Sequence, residues 1–116
     1  MKLKVEVHTD GGFALIRCTG QLIFGKESEI LCGHLEAAFS RFRKCVLNME
    51  GVDQIDAGGL GVLAGCCRKA RLMNCQLLLA SVPQNVSEML SLTRLSDAFQ
   101  MHDSEQSAIR ACCQAA

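Results

Sequence analysis

The stretch Gly51-Val-Asp-Gln-Ile-Asp56-Ala57-Gly58-Gly59-Leu60-Gly61 is where the residue types and spacing of this chain come nearest to chemistry. It follows a strand-like run, Lys44-Cys-Val-Leu-Asn-Met49, and opens a helix rich in small residues that extends to about Met73. A strand that ends in a glycine-rich turn feeding a helix presents unpaired backbone N–H groups and the positive end of the helix dipole, a place for an anion or a docking surface. What the turn lacks is equally informative. Between Asp56 and Leu60 no side chain carries a hydroxyl, a thiol or a base. Nucleophilic catalysis has no nucleophile there, and no histidine adjoins the turn in sequence. A P-loop is excluded because no Gly-Lys-Ser/Thr follows. Gly59-x-Gly61-x-x-Ala64 formally matches the dinucleotide fingerprint. Its first glycine, however, falls well past the strand run, and Ala80-Ser81 near the end of the next strand holds no carboxylate for a ribose.

The other chemistry-bearing residues are the eight cysteines and three histidines. Cys66-Cys67 and Cys112-Cys113 are adjacent pairs within helical patterns, Cys18 and Cys45 sit in strand-like runs, and no Cys-x-x-Cys occurs. With no secretion signal, this placement predicts buried, reduced thiols acting as small hydrophobes instead of a disulfide scaffold. Zinc ligands at workable spacing are missing, so no metal is expected, and no cofactor. His8, His34 and His102 are scattered; His34, beside the apolar stripe of a helix, reads as a structural histidine.

Whole-chain properties narrow the class. The chain has 116 residues, 49% of them hydrophobic, with a formal net charge of zero. That is one domain, residues 1–116, with no electrostatic reason to bind nucleic acid or acidic membrane. The charged–apolar alternation from Met1 to Asp10 reads as a strand and not as a signal peptide. The longest low-polarity stretch, Ala57 to Cys67, is too short to span a bilayer. No insertion into a membrane is expected, and a cytoplasmic location is.

Elements that must position the turn follow from periodicity. Leu3, Val5 and Val7 alternate with Lys4 and Glu6; Asp10-Gly11-Gly12 makes a hairpin turn into a second strand, Phe13 to Thr19. Gly20 to Lys26 reads as a loop. Ile30, Leu31, His34, Leu35, Ala38, Phe39 and Phe42 then recur at helical spacing through Arg43. Cys45 to Met49 is a buried strand. The helix after the turn carries Leu60, Leu63, Ala64, Cys67 and Ala70 on one face. Gln76 to Ser81 forms a strand covered on both faces, Pro83 opens a helix through Leu92, and Ala98 to Met101 forms a last strand. Asp103 or Ser104 starts a final helix ending near Cys113. The expectation is an α/β fold: a mixed, mostly parallel sheet of about five strands, an antiparallel hairpin followed by α-β units, packed with about four helices.

The order of these elements resembles the STAS domain, shared by sulphate transporters and anti-sigma factor antagonists, and the stand-alone antagonists most. The likeness runs from about Leu3 to Ile109. It rests on Val46 to Asp56, Gly59-Leu-Gly-Val-Leu63, Leu77 to Pro83, Met89 to Phe99 and Asp103 to Ala108. In that family the turn normally reads Asp-Ser-Ser/Thr-Gly-Leu-Gly. Its first serine is phosphorylated by a partner that is both anti-sigma factor and kinase, and the phosphate blocks binding. Here the two hydroxyl positions hold Ala57 and Gly58, while Asp56, Gly59, Leu60 and Gly61 are kept. A second departure is Asn48, where the family often has Asp.

The resemblance implies a non-catalytic regulatory module without the usual phosphoserine, Ala57 standing in its place. Its partner would be a protein, either an anti-sigma factor of the serine-kinase kind or the ATPase of a phospholipid-transport ABC complex that carries a small STAS subunit. The chain itself could be a monomer or a dimer. The expected docking residues are Asp56, Ala57, Gly58, Gly59 and Leu60, joined by Phe24 and Lys26 from the loop that the family places at the same end of the sheet. Phe24 would anchor an interface or else fold back on the core. Arg68 and Arg71 could rim that face or be solvated cations at the helix C-terminus. Ser81 ends a strand on the same side as the turn.

Overall fold

Alternation near the N-terminus builds a hairpin. In the computed structural model, which describes residues 3–93 and 99–113, β1 (Lys4–Asp10) pairs antiparallel with β2 (Phe13–Leu22) across Gly11-Gly12. Three further strands add in parallel: β3 (Lys44–Ile55), β4 (Gln76–Ala80) and β5 (Gln100–His102). The sheet order is β1-β2-β3-β4-β5. Between them run α1 (Lys26–Phe39), α2 (Ala57–Leu72) and α3 (Gln84–Leu92), and α4 (Glu105–Cys113) follows β5. The mixed, mostly parallel sheet and four helices agree with the fold expected from the sequence. The predicted strand start at Ala98 lies outside the described residues.

The period of two along β2, β3 and β4 sorts side chains to opposite faces. One face, with Ala14, Ile16, Cys45, Leu47, Leu77 and Leu79, packs under Leu31, Leu35, Leu60, Leu63, Val86 and Leu90 of α1, α2 and α3. The other, with Leu15, Val46, Leu78 and Ala80, is covered by Ala108 and Cys112 of α4. Strands buried on both faces explain why Gln76 to Ala80 is nearly all apolar. Among the described residues no helix is long and apolar enough to cross a membrane.

Four boundaries differ from periodicity. β3 does not stop near Met49 but continues to Ile55, and β2 extends with it to Leu22. Gly51 is therefore a strand residue, not the start of a turn. A Cβ there would lie 2.9 Å from the Thr19 hydroxyl, and the register slips beside it, so glycine serves close strand approach at a bulge. Helix α1 ends at Phe39, four residues early, where the Arg41 and Phe42 N–H groups share the Ala38 carbonyl, at 3.0 and 2.8 Å, and tighten the last turn. Phe42 keeps the helical spacing and still packs on the core from the loop. Pro83 precedes the first turn of α3 as its N-cap.

Candidate functional site, a surface where two helices begin

Strands β2 and β3 run parallel, so the helices that follow them begin at the same end of the sheet. In α/β folds that end gathers helix N-termini and binding surfaces. Asp56 caps α2. Its Oδ1 accepts the Gly59 N–H at 2.6 Å, satisfying one of the free donors of the first turn. The same carboxylate accepts the Phe24 N–H, at 3.0 Å to Oδ1 and 3.3 Å to Oδ2. One side chain thus ties the β2–α1 loop to the start of α2.

Two glycines make that junction possible. A Cβ on Gly59 would run into the Leu22 carbonyl, a backbone atom that cannot yield. A Cβ on Gly58 would overlap Phe24 Cβ, with Phe24 Cγ next at 2.8 Å. Gly58 therefore accommodates Phe24, a coupling invisible in the sequence because the two lie in different loops. At the start of α1, Gly25 adopts φ 115, a conformation that side chains rarely take. The buried hydroxyl of Ser28 accepts the Gly25 N–H and donates to the Gly25 carbonyl, both at 3.0 Å.

The surface that results is small and specific. Phe24 is 70% exposed, so its ring stands in solvent and does not fold back on the core. Lys26, Asp56 and Ala57 are exposed around it, and Gly58 is half-buried beneath it. Gly59 is buried, and Leu60 is only 1% exposed. Leu60 is the correction to the expected set: its side chain belongs to the core and positions the helix instead of facing outward. Arg68 and Arg71 do not rim this face either. They lie in the last turns of α2, roughly 15 Å or more along an axis that rises about 1.5 Å per residue. Arg71 lines a cleft with Cys67, Asn74, Gln76 and Gln100, at the opposite end of the sheet where β4 and β5 start.

Ser81 is on the turn side but far back. It follows Ala80, which pairs with Asn48, and β3 runs on for seven more residues to Ile55. At about 3.3 Å per residue that separates it from the turn by roughly 20 Å. Ser81 takes φ 54 with its N–H bonded to the His102 carbonyl at 3.1 Å, a turn role. His34 is exposed, so it has no structural place in the core. The thiols follow the expectation in part: Cys18, Cys45, Cys66, Cys67, Cys75 and Cys112 are buried, while Cys32 is partly exposed.

Sequence reading missed a polar cluster on the α4 side of the sheet. Arg17 donates through Nε and Nη2 to both carboxylate oxygens of Glu105, at 2.9 and 2.8 Å, and Asn48 Nδ2 donates to Glu105 Oε2 at 2.8 Å. The Arg17 hydrogen bond, with Asn48 adding a second donor, holds the Glu105 carboxyl down to about 2. Asn48 Oδ1 in turn accepts the Glu50 N–H at 2.9 Å. This geometry accounts for Asn48, since an Asp there would set carboxylate against carboxylate. No local pattern could reveal it; the partners are 57 and 88 residues apart.

Against known proteins, the model for the STAS domain matches residues 4–108. The fold superposes on the crystal structure of a putative anti-sigma factor antagonist from Thermotoga maritima with a TM-score of 0.84, at 18% identity over 95% of both chains. The anti-sigma factor antagonist SpoIIAA in its unphosphorylated form gives 0.72 at 15% identity, over 97% of this chain and 100% of that one. A part of SLC26A9, 20% of its length, matches 90% of this chain with a TM-score of 0.77 and 18% identity. At such identities the likeness to these structures is one of fold.

Proposed function

Because the chain belongs to the STAS domain family, we propose that it is a non-catalytic binding module of the anti-sigma factor antagonist kind, docking a protein partner through Phe24, Lys26, Asp56, Ala57 and Gly58. STAS domains are generally regulatory modules without catalytic activity. The observation that carries the reading is the Asp56 carboxylate bridging the Phe24 and Gly59 N–H groups. It holds an exposed aromatic and a helix N-terminus in one fixed relation, and a preorganised anchor of that kind loses little freedom when a partner covers it.

Ala57 supplies the regulatory half of the proposal. It is the first residue of α2 and is exposed, at the position where the family carries its phosphoserine. Phosphate there would add about two negative charges beside the Asp56 carboxylate and in the docking face, enough to repel an acidic partner surface. A methyl group cannot be phosphorylated. The docking face is therefore held in the state that corresponds to the unmodified antagonist, and control passes to abundance or to another element.

The test starts with capture of the native partner on immobilised chain, followed by calorimetric titration of the purified pair. Recovery of a serine-kinase-type anti-sigma factor supports the reading. Recovery of an ABC-transporter ATPase alone replaces it with the transporter-subunit alternative, which would use the same face. With either partner, Ala57→Asp should weaken binding at least tenfold. Unchanged affinity would place the interface elsewhere.

A further inference from the structure

We propose that Cys32 and Cys66 form a reversible disulfide that locks α1 to α2, with a low-molecular-weight disulfide such as oxidised glutathione as the oxidant. Their sulfurs stand 3.2 Å apart across the interface of the two helices, nearer than two sulfurs in simple contact. A bond requires about 2.05 Å, so closure needs a movement of roughly 1 Å. The two residues are 34 positions apart in sequence, so only the folded arrangement brings them together.

The pair is built asymmetrically. Cys66 S–H donates to Cys32 Sγ, and Cys32 S–H donates to Glu36 Oε2 at 3.1 Å. Glu36 Oε1 is held in turn by Lys69 Nζ at 2.9 Å. Cys32 is partly exposed, whereas Cys66 is 3% exposed. Cys32 is therefore the thiol that a soluble disulfide can reach, and Cys66 is the resolving thiol behind it. A second pair, Cys45 and Cys75 at 3.6 Å, offers no such entry because both are buried.

The exchange balances in two steps. The Cys32 thiolate, its proton lost to solvent, attacks one sulfur of glutathione disulfide, forming a mixed disulfide and releasing one glutathione thiolate. Cys66, losing its proton, then attacks the Cys32 sulfur, forming the protein disulfide and expelling the second glutathione thiolate. The two released protons return to the two glutathione thiolates. The protein dithiol is oxidised by two electrons and the glutathione disulfide is reduced to two thiols. Burial favours the protonated form of both thiols, Cys66 more than Cys32, so the reaction is slow and is best followed to equilibrium.

The experiment incubates the folded protein in glutathione buffers of increasing oxidised fraction, then quenches with acid, alkylates and maps peptides without reduction. The expected product is an intramolecular Cys32–Cys66 cross-link, reversed by excess dithiothreitol. Closing a loop of this length should raise the melting temperature by on the order of 10 °C. Cys66→Ser should instead stop at glutathionylated Cys32, and Cys66→Ala serves the same purpose if the serine variant folds poorly. Three results would overturn the proposal: full alkylation of Cys32 and Cys66 in the most oxidised buffer, a bridge between other cysteines, or a cross-link only between copies of the chain.

Discussion

The Asp56 carboxylate accepts the Phe24 backbone N–H at 3.0 Å from a loop 32 residues away. This single bond turns a helix cap into a clamp between two connections of the sheet. It follows that Asp56→Ala removes both a cap and a tie. The expected loss is about 1–2 kcal/mol of stability, read from urea denaturation, with faster hydrogen exchange at the Phe24 and Gly59 amides. Asp56→Asn keeps an oxygen acceptor for the Gly59 N–H and should recover most of the stability. Equal losses in the two variants would contradict the clamp.

At Gly58 the ordinary rule for helices reverses. Glycine to alanine in a helix normally gains up to about 1 kcal/mol. Here the added Cβ overlaps Phe24 Cβ, so Gly58→Ala should destabilise or displace the β2–α1 loop. Phe24→Ala cannot relieve it, because alanine retains the offending atom; Phe24→Gly in the same chain can. Thermal melts of the single and double variants, read as a cycle, decide this.

Phe24 and Leu60 should separate binding from folding. Phe24→Ala removes an exposed ring and should leave stability within about 0.5 kcal/mol, while lowering partner affinity tenfold or more. Leu60→Ala empties a core site and should cost roughly 2–5 kcal/mol, seen as a lower denaturation midpoint. If Phe24→Ala left affinity untouched, the ring would be a bystander.

The Arg17–Glu105 pair predicts a pH dependence. Glu105 has its carboxyl lowered from 4.5 to about 2 in the folded protein. A depressed folded value means the stabilisation is complete above the unfolded value and disappears as pH falls through the folded one. The advantage of the native protein over Glu105→Gln should therefore be constant from neutral pH to about pH 5, then decline toward pH 2. Because the pair is partly exposed, its size is on the order of 1 kcal/mol. Chemical denaturation of both proteins across that range gives the comparison.

Much of this molecule was legible because its elements are local. The hairpin at Gly11-Gly12, the apolar run Gln76 to Ser81 and the face Leu60, Leu63, Ala64, Cys67 and Ala70 each advertise themselves by spacing, and each forms. The strand stops one residue early, at Ala80, and Ala64 is only partly buried. The end of β3 was less legible. Gly51 looks like punctuation, and only its pairing opposite Thr19 shows that the strand continues through it. The end of α1 was obscured for a similar reason, since Phe42 keeps the helical spacing after the helix has stopped.

The sequence by itself determined that Asp56 to Leu60 hold no nucleophile, that position 57 is an alanine with no hydroxyl to modify, and that the elements come in STAS order. These are statements about residue identity and short-range periodicity, which need no third dimension. The tertiary structure decided which of those residues face outward and what they touch. Leu60 went to the core, Phe24 to the surface over Gly58, and Glu105 to Arg17 and Asn48. Such contacts join positions tens of residues apart, and sheet register and helix packing bring them together, so no window along the chain contains both partners.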